Sequence, residues 1–377
     1  MDRHPAMVAK MAGQLDSLLR QRPAWLMLDD AGVPEDLLAQ VPQQPTLVLG
    51  LGGSALGARA VLAVAKREGA VRHEVRVLDS LDRETVRDAL AWADGVGAAL
   101  HVVSKSGGTT EVLALLALCL ERAIGVSTPI VFVSDPIESP IRTELAATNR
   151  KWFHIAMPEP VGGRYSVFTA VGQVPLRAAG ADAGTLLRGA RAYAEVIGAD
   201  LRAAPCVHEL SWRLQNPAAN SVLMSYADAL LPWAFWLQQL ECESLGRRLD
   251  NGKRVGELVV VLRGPADQHS IAQLLLDGPV DKRVCICDFV AASAHPDGFG
   301  TIERLCAIER DATFDALELP TMRVLVRPNL YSLGALMLHG MIVTVIMASE
   351  LGVSPYGQPA VEAIKRGIRA RLGDQAT

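Results

Sequence analysis

The chain has 377 residues, half of them apolar and 21% charged, with a formal net charge of -4 and a pI near 6.1. This composition excludes a disordered chain, which is too poor in apolar residues to bury a core. It also offers neither the basic field that nucleic acid requires nor a polybasic face for a membrane, so an anionic ligand must be held by local chemistry.

Residues 1 to 45 predict an N-terminal helical arm. Its start, MDRHPAMVAKMAGQLDSLL, is interrupted by charges and has no continuous apolar region, so it does not read as a signal peptide. No uninterrupted apolar run approaches the ~20 residues of a membrane span, and a soluble cytoplasmic protein is expected. The six cysteines, Cys119, Cys206, Cys242, Cys285, Cys287 and Cys306, show no CxxC spacing. Free thiols in a reducing compartment are expected rather than disulfides.

From residue 46 the runs TLVLG, EVRVLD, HVVSKS, PIVFVSD and WFHIAM are short, apolar and rich in β-branched residues, with amphipathic stretches between most of them. That alternation predicts an α/β unit over 46–182, a parallel sheet covered by helices on both faces. A helical zone from about 183 to 218 precedes a second set, SVLMSY, ELVVVLRG, KRVCICDF and MRVLVR, which predicts a second such unit over 183–329. Residues 330–377 read as C-terminal helices, LYSLGALMLHGMIVTVIMASELG followed by SPYGQP and a last helix.

Two loops carry phosphate chemistry. The first strand runs into GLGGSALG (50–57), where glycines let backbone amides approach an anion and a helix N-terminus supplies unpaired N–H groups. It lacks the GK[ST] of a Walker loop, while Gly50, Gly52 and Ala55 nearly fit GxGxxA with Asp79 at the end of the second strand, a weak dinucleotide match. The second loop, SKSGGTTE (104–111), also follows a strand, with hydroxyls on Ser104, Ser106, Thr109 and Thr110 and a helix after them. Two such loops at the mouth of one sheet fit a monophosphate better than NAD. The plain alternative is that both are turns and caps.

Four further islands carry ionisable groups. In WAFWLQQLECESLGRR, Glu243 continues the apolar helical face of Trp233, Trp236, Leu237 and Leu240, where partial burial would raise its pKa and suit it to act as a base. Otherwise it turns outward at a fraying helix end before Gly246. In GPADQHSIAQLLLDG, Ser270 and Gln273 read as a capping box, with His269 just outside a helix and after a strand; a structural histidine is the bland reading. In SPYGQPAVEAIKRGI, Val361, Ile364 and Ile368 form an inward stripe with Lys365 beside it, and a solvated lysine is the alternative. In VGGRYSVFTAVG, Arg164 is a permanent cation after two glycines, able to hold an oxyanion or simply to pair with a surface acid.

Together GLGGSALG, SKSGGTTE, GGRYSVFTAVG, QQLECESLGRR, GPADQHSIAQLL and GQPAVEAIK resemble, in order and spacing, the signatures of the glucose-6-phosphate isomerase family, over about residues 46–371. The resemblance implies two sugar-isomerase (SIS) subdomains, each a parallel sheet flanked by helices, with C-terminal helices completing the site. It implies that a hexose 6-phosphate places its phosphate on Gly53, Ser54, Ser104, Lys105, Ser106 and Thr109, with Gln358 close by. Glu243 would shuttle a proton between C2 and C1 through a cis-enediolate that Arg164 stabilises. His269 and Lys365 would open the ring, the histidine coming from the partner of a homodimer. No metal and no other cofactor is implied, since only protons move.

The chain departs from the family pattern at Gly108, where a hydroxyl is common, at Arg247, where lysine usually follows ESxG, and at Ala360, where glycine is usual. Two other functions stay open on the residues: a non-catalytic sugar-phosphate-sensing SIS module and, on the GxGxxA likeness alone, an NAD-dependent dehydrogenase. Within the isomerase reading, dual use of glucose and mannose 6-phosphates is also open.

Overall fold

β-Branched and leucine-rich runs become strands where the sequence predicts them. In the computed structural model, which describes residues 3–290 and 299–374, β1 (Thr46–Leu49), β2 (Val75–Leu78), β3 (Ala99–Val103), β4 (Ile130–Ser134) and β5 (Trp152–Ala156) form one sheet. Its order is β2-β1-β3-β4-β5 and every pairing is parallel. β1, β3 and β4 are buried along their whole length, as a sheet covered on both faces demands.

After helices Gly184–Ala199 and Pro205–Gln215, β6 (Asn220–Ser225) starts the second sheet. A two-residue ribbon, β7 (Arg247–Arg248) with β8 (Arg254–Val255), leads into β9 (Leu258–Arg263), β10 (Lys282–Phe289) and β11 (Thr321–Val326). The order β11-β10-β6-β9 is again wholly parallel. Read from the strand beside the first one, both sheets share one winding, and the second stops one strand earlier.

Helix Leu330–Glu350 joins the two halves. It starts on Asn329, whose side chain accepts from Ser332 N at 2.8 Å, and Gly352 follows at φ +69°. The sequence contains no uninterrupted apolar run of membrane length, yet this 21-residue helix is apolar enough to span one; two thirds of it is buried inside the protein, the position of a core helix. Its Gly334 and Gly189 of helix Gly184–Ala199 let the two backbones approach, because a Cβ on either would overlap the other helix. All six cysteines are free.

The helix ends differ from expectation in two places. The helix after β9 begins at Gln268, so His269 lies inside its first turn. Ser270 Oγ donates to Asp267 O at 3.1 Å and Gln273 Nε2 to Asp277 Oδ2 at 3.2 Å, so the capping box does not form. In the last helix, Val361–Asp374, Ile364 is 65% and Ile368 38% exposed. The expected inward stripe therefore faces outward in the single chain, because no element among the described residues covers it.

His101 sits on β3 with zero exposure, and neither ring nitrogen has a hydrogen-bond partner. Burial pushes its imidazole down to about 3. Folded His101 is thus neutral at pH values where an unfolded histidine, near 6.5, takes up a proton. Above that value the residue adds no pH dependence; below it, stability falls by about 1.4 kcal/mol per pH unit until about pH 3. Between pH 7 and pH 5 the wild type is expected to lose about 2 kcal/mol more than His101→Leu. Urea unfolding at both pH values checks this, and equal losses in the two proteins would refute it.

Candidate functional site

Both glycine-rich loops lie at the carboxyl ends of adjacent central strands, the position where open parallel sheets bind ligands. After β1, Gly52 takes φ +54° and residues 52–54 make a short 3-10 turn into helix Leu56–Arg67. Gly53 packs straight onto the next island, since an added Cβ would stand 2.6 Å from Arg164 N. Gly53→Ala is therefore expected to push the two loops apart. It should cost about 1–3 kcal/mol of stability and at least tenfold in kcat/KM; values within twofold of wild type in both measurements would refute this.

After β3, Gly107 sits at φ +59°, and a Cβ there would meet Ser139. Ser104 is buried and its Oγ shares a 2.8 Å hydrogen bond with Thr109 Oγ1. Thr109 is also the N-cap of helix Thr110–Glu121, but its side chain does not cap that helix, so the first N–H groups stay available to an anion. Lys105 Nζ donates to Asp135 Oδ2 at 2.7 Å and Ser106 is exposed at the rim. Asp79, the residue that made a dinucleotide site conceivable, is occupied by Arg59 at 2.8 and 3.0 Å.

Arg164 enters through the 3-10 turn Gly163–Phe168 and is only 5% exposed. Its five N–H groups are all used. Nε donates to Ser244 Oγ (2.9 Å), Nη1 to Glu243 Oε2 (3.1 Å) and Gln358 Oε1 (3.0 Å), and Nη2 to the carbonyls of Pro355 (2.7 Å) and Gly357 (2.9 Å). One guanidinium thus ties the end of helix Leu231–Leu245 to the loop that carries Gln358.

Glu243 lies in the last turn of that helix with a third of its side chain exposed. The more deeply buried carboxylate is Glu241, two residues earlier and on the opposite side, which Arg213 grips at 2.9 and 3.0 Å. Arg213 also pairs with Glu209. Burial alone would raise the Glu209 carboxyl, but Arg213 and His339 hold it down at about 2. This buried ion cluster fixes one side of the helix and leaves Glu243 on the other, partly exposed beside Arg164 and Gln239.

Gln239, one turn before Glu243, is a site residue that the sequence reading misses. Its Nε2 donates to Glu243 Oε1 at 3.1 Å, so the two carboxylate oxygens are held separately, by Gln239 and by Arg164. The available signal is its place four residues before a candidate base on one helix face. Arg247 also proves to be part of the site's frame: Nη1 donates to Glu243 O and Gly246 O, and Nη2 to Tyr356 O and Gly357 O.

The structure brings together Gly53, Arg164, Glu243 and Gln358, with Ser54, Ser104, Lys105, Ser106 and Thr109 on the two loops beside them. It does not bring in His269 or Lys365. His269 is exposed beyond β9, in a recess of about 440 Å³ shared with Tyr226, Ile302, Leu305 and Cys306. Lys365 is exposed on the last helix, with Nζ donating to Glu362 Oε1 at 2.8 Å.

The sequence model of the phosphoglucose isomerase family matches residues 43–304. The chain is 34% identical to a glucose-6-phosphate isomerase of Thermus thermophilus over 349 residues, covering 86% of this chain and 83% of the relative. It is 30% identical to that of Campylobacter jejuni, covering 85% and 83%. Among solved structures, a hypothetical protein from Thermus thermophilus superposes with a TM-score of 0.81 at 31% identity, over 98% and 95% of the two chains. A Chlamydia trachomatis glucose-6-phosphate isomerase shares the fold at TM-score 0.72 and 19% identity, over 99% and 74%. With two glycine-rich loops, an arginine and an oriented glutamate at the mouth of one parallel sheet, the chain belongs to the phosphoglucose isomerase family.

Proposed function

We propose that this protein is an enzyme that interconverts glucose 6-phosphate and fructose 6-phosphate. One observation carries the reading: a partly exposed carboxylate, Glu243, whose oxygens are held by Gln239 and Arg164, stands where those two residues pack on the first of two loops suited to a monophosphate. An aldose and its ketose differ by one proton moved between C2 and C1, with a compensating transfer between the oxygens. A single base on one face of the sugar can take the proton from one carbon and return it to the other. The cis-enediolate formed between the two steps is anionic, and Arg164 is the cation beside Glu243 that can stabilise it.

In this proposal the phosphate rests on Gly53, Ser54, Ser104, Lys105, Ser106 and Thr109, and Gln358 is held near it by Arg164. Ring opening falls to His269 and Lys365. Lys365 follows the Gln358 loop directly, and sugar binding exchanges its ion pair with Glu362 for the substrate. His269 comes from a second subunit, which the surface around it supports. Helix Gly300–Ala316 buries none of its residues and exposes Ile302, Leu305 and Ile308 at 64, 54 and 53%. Two of these share the His269 recess, an apolar surface of the kind a partner subunit covers. The free cysteines support a cytosolic setting.

The test is incubation with fructose 6-phosphate, without added metal or nucleotide, following glucose and mannose 6-phosphates separately. Glucose 6-phosphate alone is the expected product. Mannose 6-phosphate as well would widen the activity to both sugars. Binding of fructose 6-phosphate with neither product would replace the proposal with a sensing module.

The cross-subunit histidine has its own check. Glu243→Gln and His269→Ala, each inactive alone, are unfolded and refolded together. If His269 serves the partner's site, each mixed dimer regains one intact site and the mixture recovers about a quarter of wild-type activity. No recovery, with mixed dimers shown by mass, would place His269 in the site of its own chain.

A further inference from the structure

Trp25 of the N-terminal arm lies before residue 43 and the Gln358 loop after residue 304, so both fall outside the part of the chain that the family's sequence model matches. They nevertheless meet behind Arg164. Trp25 stands on the turn Ala24–Leu26, 4% exposed, and its Nε1 donates to Tyr356 Oη at 2.9 Å. Its ring stacks on Tyr165 at a centroid separation of 5.5 Å, and Tyr356 leans on the same Tyr165 at 5.7 Å. Tyr165 is itself buried and shares a 3.0 Å hydrogen bond with Ser244 Oγ, the atom to which Arg164 Nε donates.

The arm is pinned where Trp25 leaves it. Gln173, buried in helix Ala170–Ala178, donates to Ala31 O at 3.1 Å and accepts from Val33 N at 3.1 Å. Arg191 Nη2 donates to Leu28 O at 2.9 Å. The loop from Ser354 to Gln358, by contrast, is exposed or half-buried, and its backbone is held by Arg164 and Arg247 through the carbonyls of Pro355, Tyr356 and Gly357. Apart from the contact of Gln358 with Arg164, the side chain of this loop that reaches a rigid element is Tyr356, whose hydroxyl accepts from Trp25 and whose ring leans on Tyr165.

We infer that Trp25 is a positioning residue for substrate: through Tyr356 it sets where the loop presents Gln358, and through Tyr165 and Ser244 it backs the guanidinium of Arg164. This rests on the isomerase reading, in which Gln358 and Arg164 contact the sugar phosphate. A neutral hydrogen bond of this kind contributes about 1 kcal/mol, which corresponds to about fivefold in affinity. The loss should fall on binding, because losing the N–H to hydroxyl bond frees the Gln358 loop while the rings stacked on Tyr165, and with them the backing of Arg164 and Glu243, are kept.

The test uses Trp25→Phe, which keeps a stacked ring and removes the N–H, Tyr356→Phe, which removes the acceptor, and the double variant. Each single change is expected to raise KM for fructose 6-phosphate about fivefold with kcat within twofold. Each should also weaken binding of glucitol 6-phosphate, a hexitol phosphate that cannot isomerise, by the same factor. The double variant should be no worse than either single one, since one bond is lost in all three. Unchanged KM and unchanged glucitol 6-phosphate affinity in Trp25→Phe, or losses that multiply in the double variant, would overturn the inference. Binding keeps this apart from the isomerase reading: a wild type that binds glucitol 6-phosphate without turning over fructose 6-phosphate ends the latter, and the affinities of the variants still decide the role of Trp25.

Discussion

Glu243→Gln is expected to lower kcat by about 10³-fold, within the range that a positioned general base contributes, while affinity for glucitol 6-phosphate stays within about threefold. The amide is isosteric and can still accept from Arg164 Nη1 through its oxygen, so the hydrogen bond at 3.1 Å survives in form. In the proposed mechanism it can no longer take a proton from C2. The steady-state rate and the exchange of the C2 hydrogen with deuterated solvent report the same step and should fall together. Turnover within tenfold of wild type would show that another group moves the proton.

Arg164→Lys is the second large effect. Lysine keeps the charge but has three donors at one point, whereas Arg164 spreads five over Ser244, Glu243, Gln358, Pro355 and Gly357. At least two of these acceptors lose their donor, which predicts a loss of about 2 kcal/mol in unfolding free energy. On the role proposed for Arg164, loss of a fixed cation beside the enediolate predicts a kcat about 10²–10³ lower. Urea unfolding and steady-state kinetics check the two parts separately. A Lys variant with wild-type kcat would mean that charge alone suffices there and that the guanidinium serves only the frame.

Much of this is legible in local sequence. Strand positions are readable because short β-branched runs alternate with helical patterns, and β1, β3 and β4 lie where TLVLG, HVVSKS and PIVFVSD predict. The glycine loops are readable because only glycine tolerates the backbone at Gly52 and Gly107, or the approach of Gly53 to Arg164. Gln239 escapes notice because a glutamine beside an apolar helical face has no chemical signature until the carboxylate it serves is located. The Ser270–Gln273 pattern misleads for a related reason: Asp267 and the chain leaving β9 set the start of that helix, and they override the local match.

The order of residues is enough to set the local conformations and the residue types able to bind a phosphate, take a proton or hold an oxyanion. These depend on spacing along a strand, a turn or a helix face, and spacing is readable over a dozen residues. Which of those groups meet is settled only when the elements pack. Arg164 finds Glu243 79 positions away and Gln358 194 positions away, Glu241 rather than Glu243 is the buried carboxylate, and Trp25 reaches Tyr356 across 331 positions. His269 and the Ile364 and Ile368 face stay outward because nothing among the described residues of one chain covers them. Contacts between distant segments are set by how helices and sheets pack, a property of the whole chain to which no short stretch gives access.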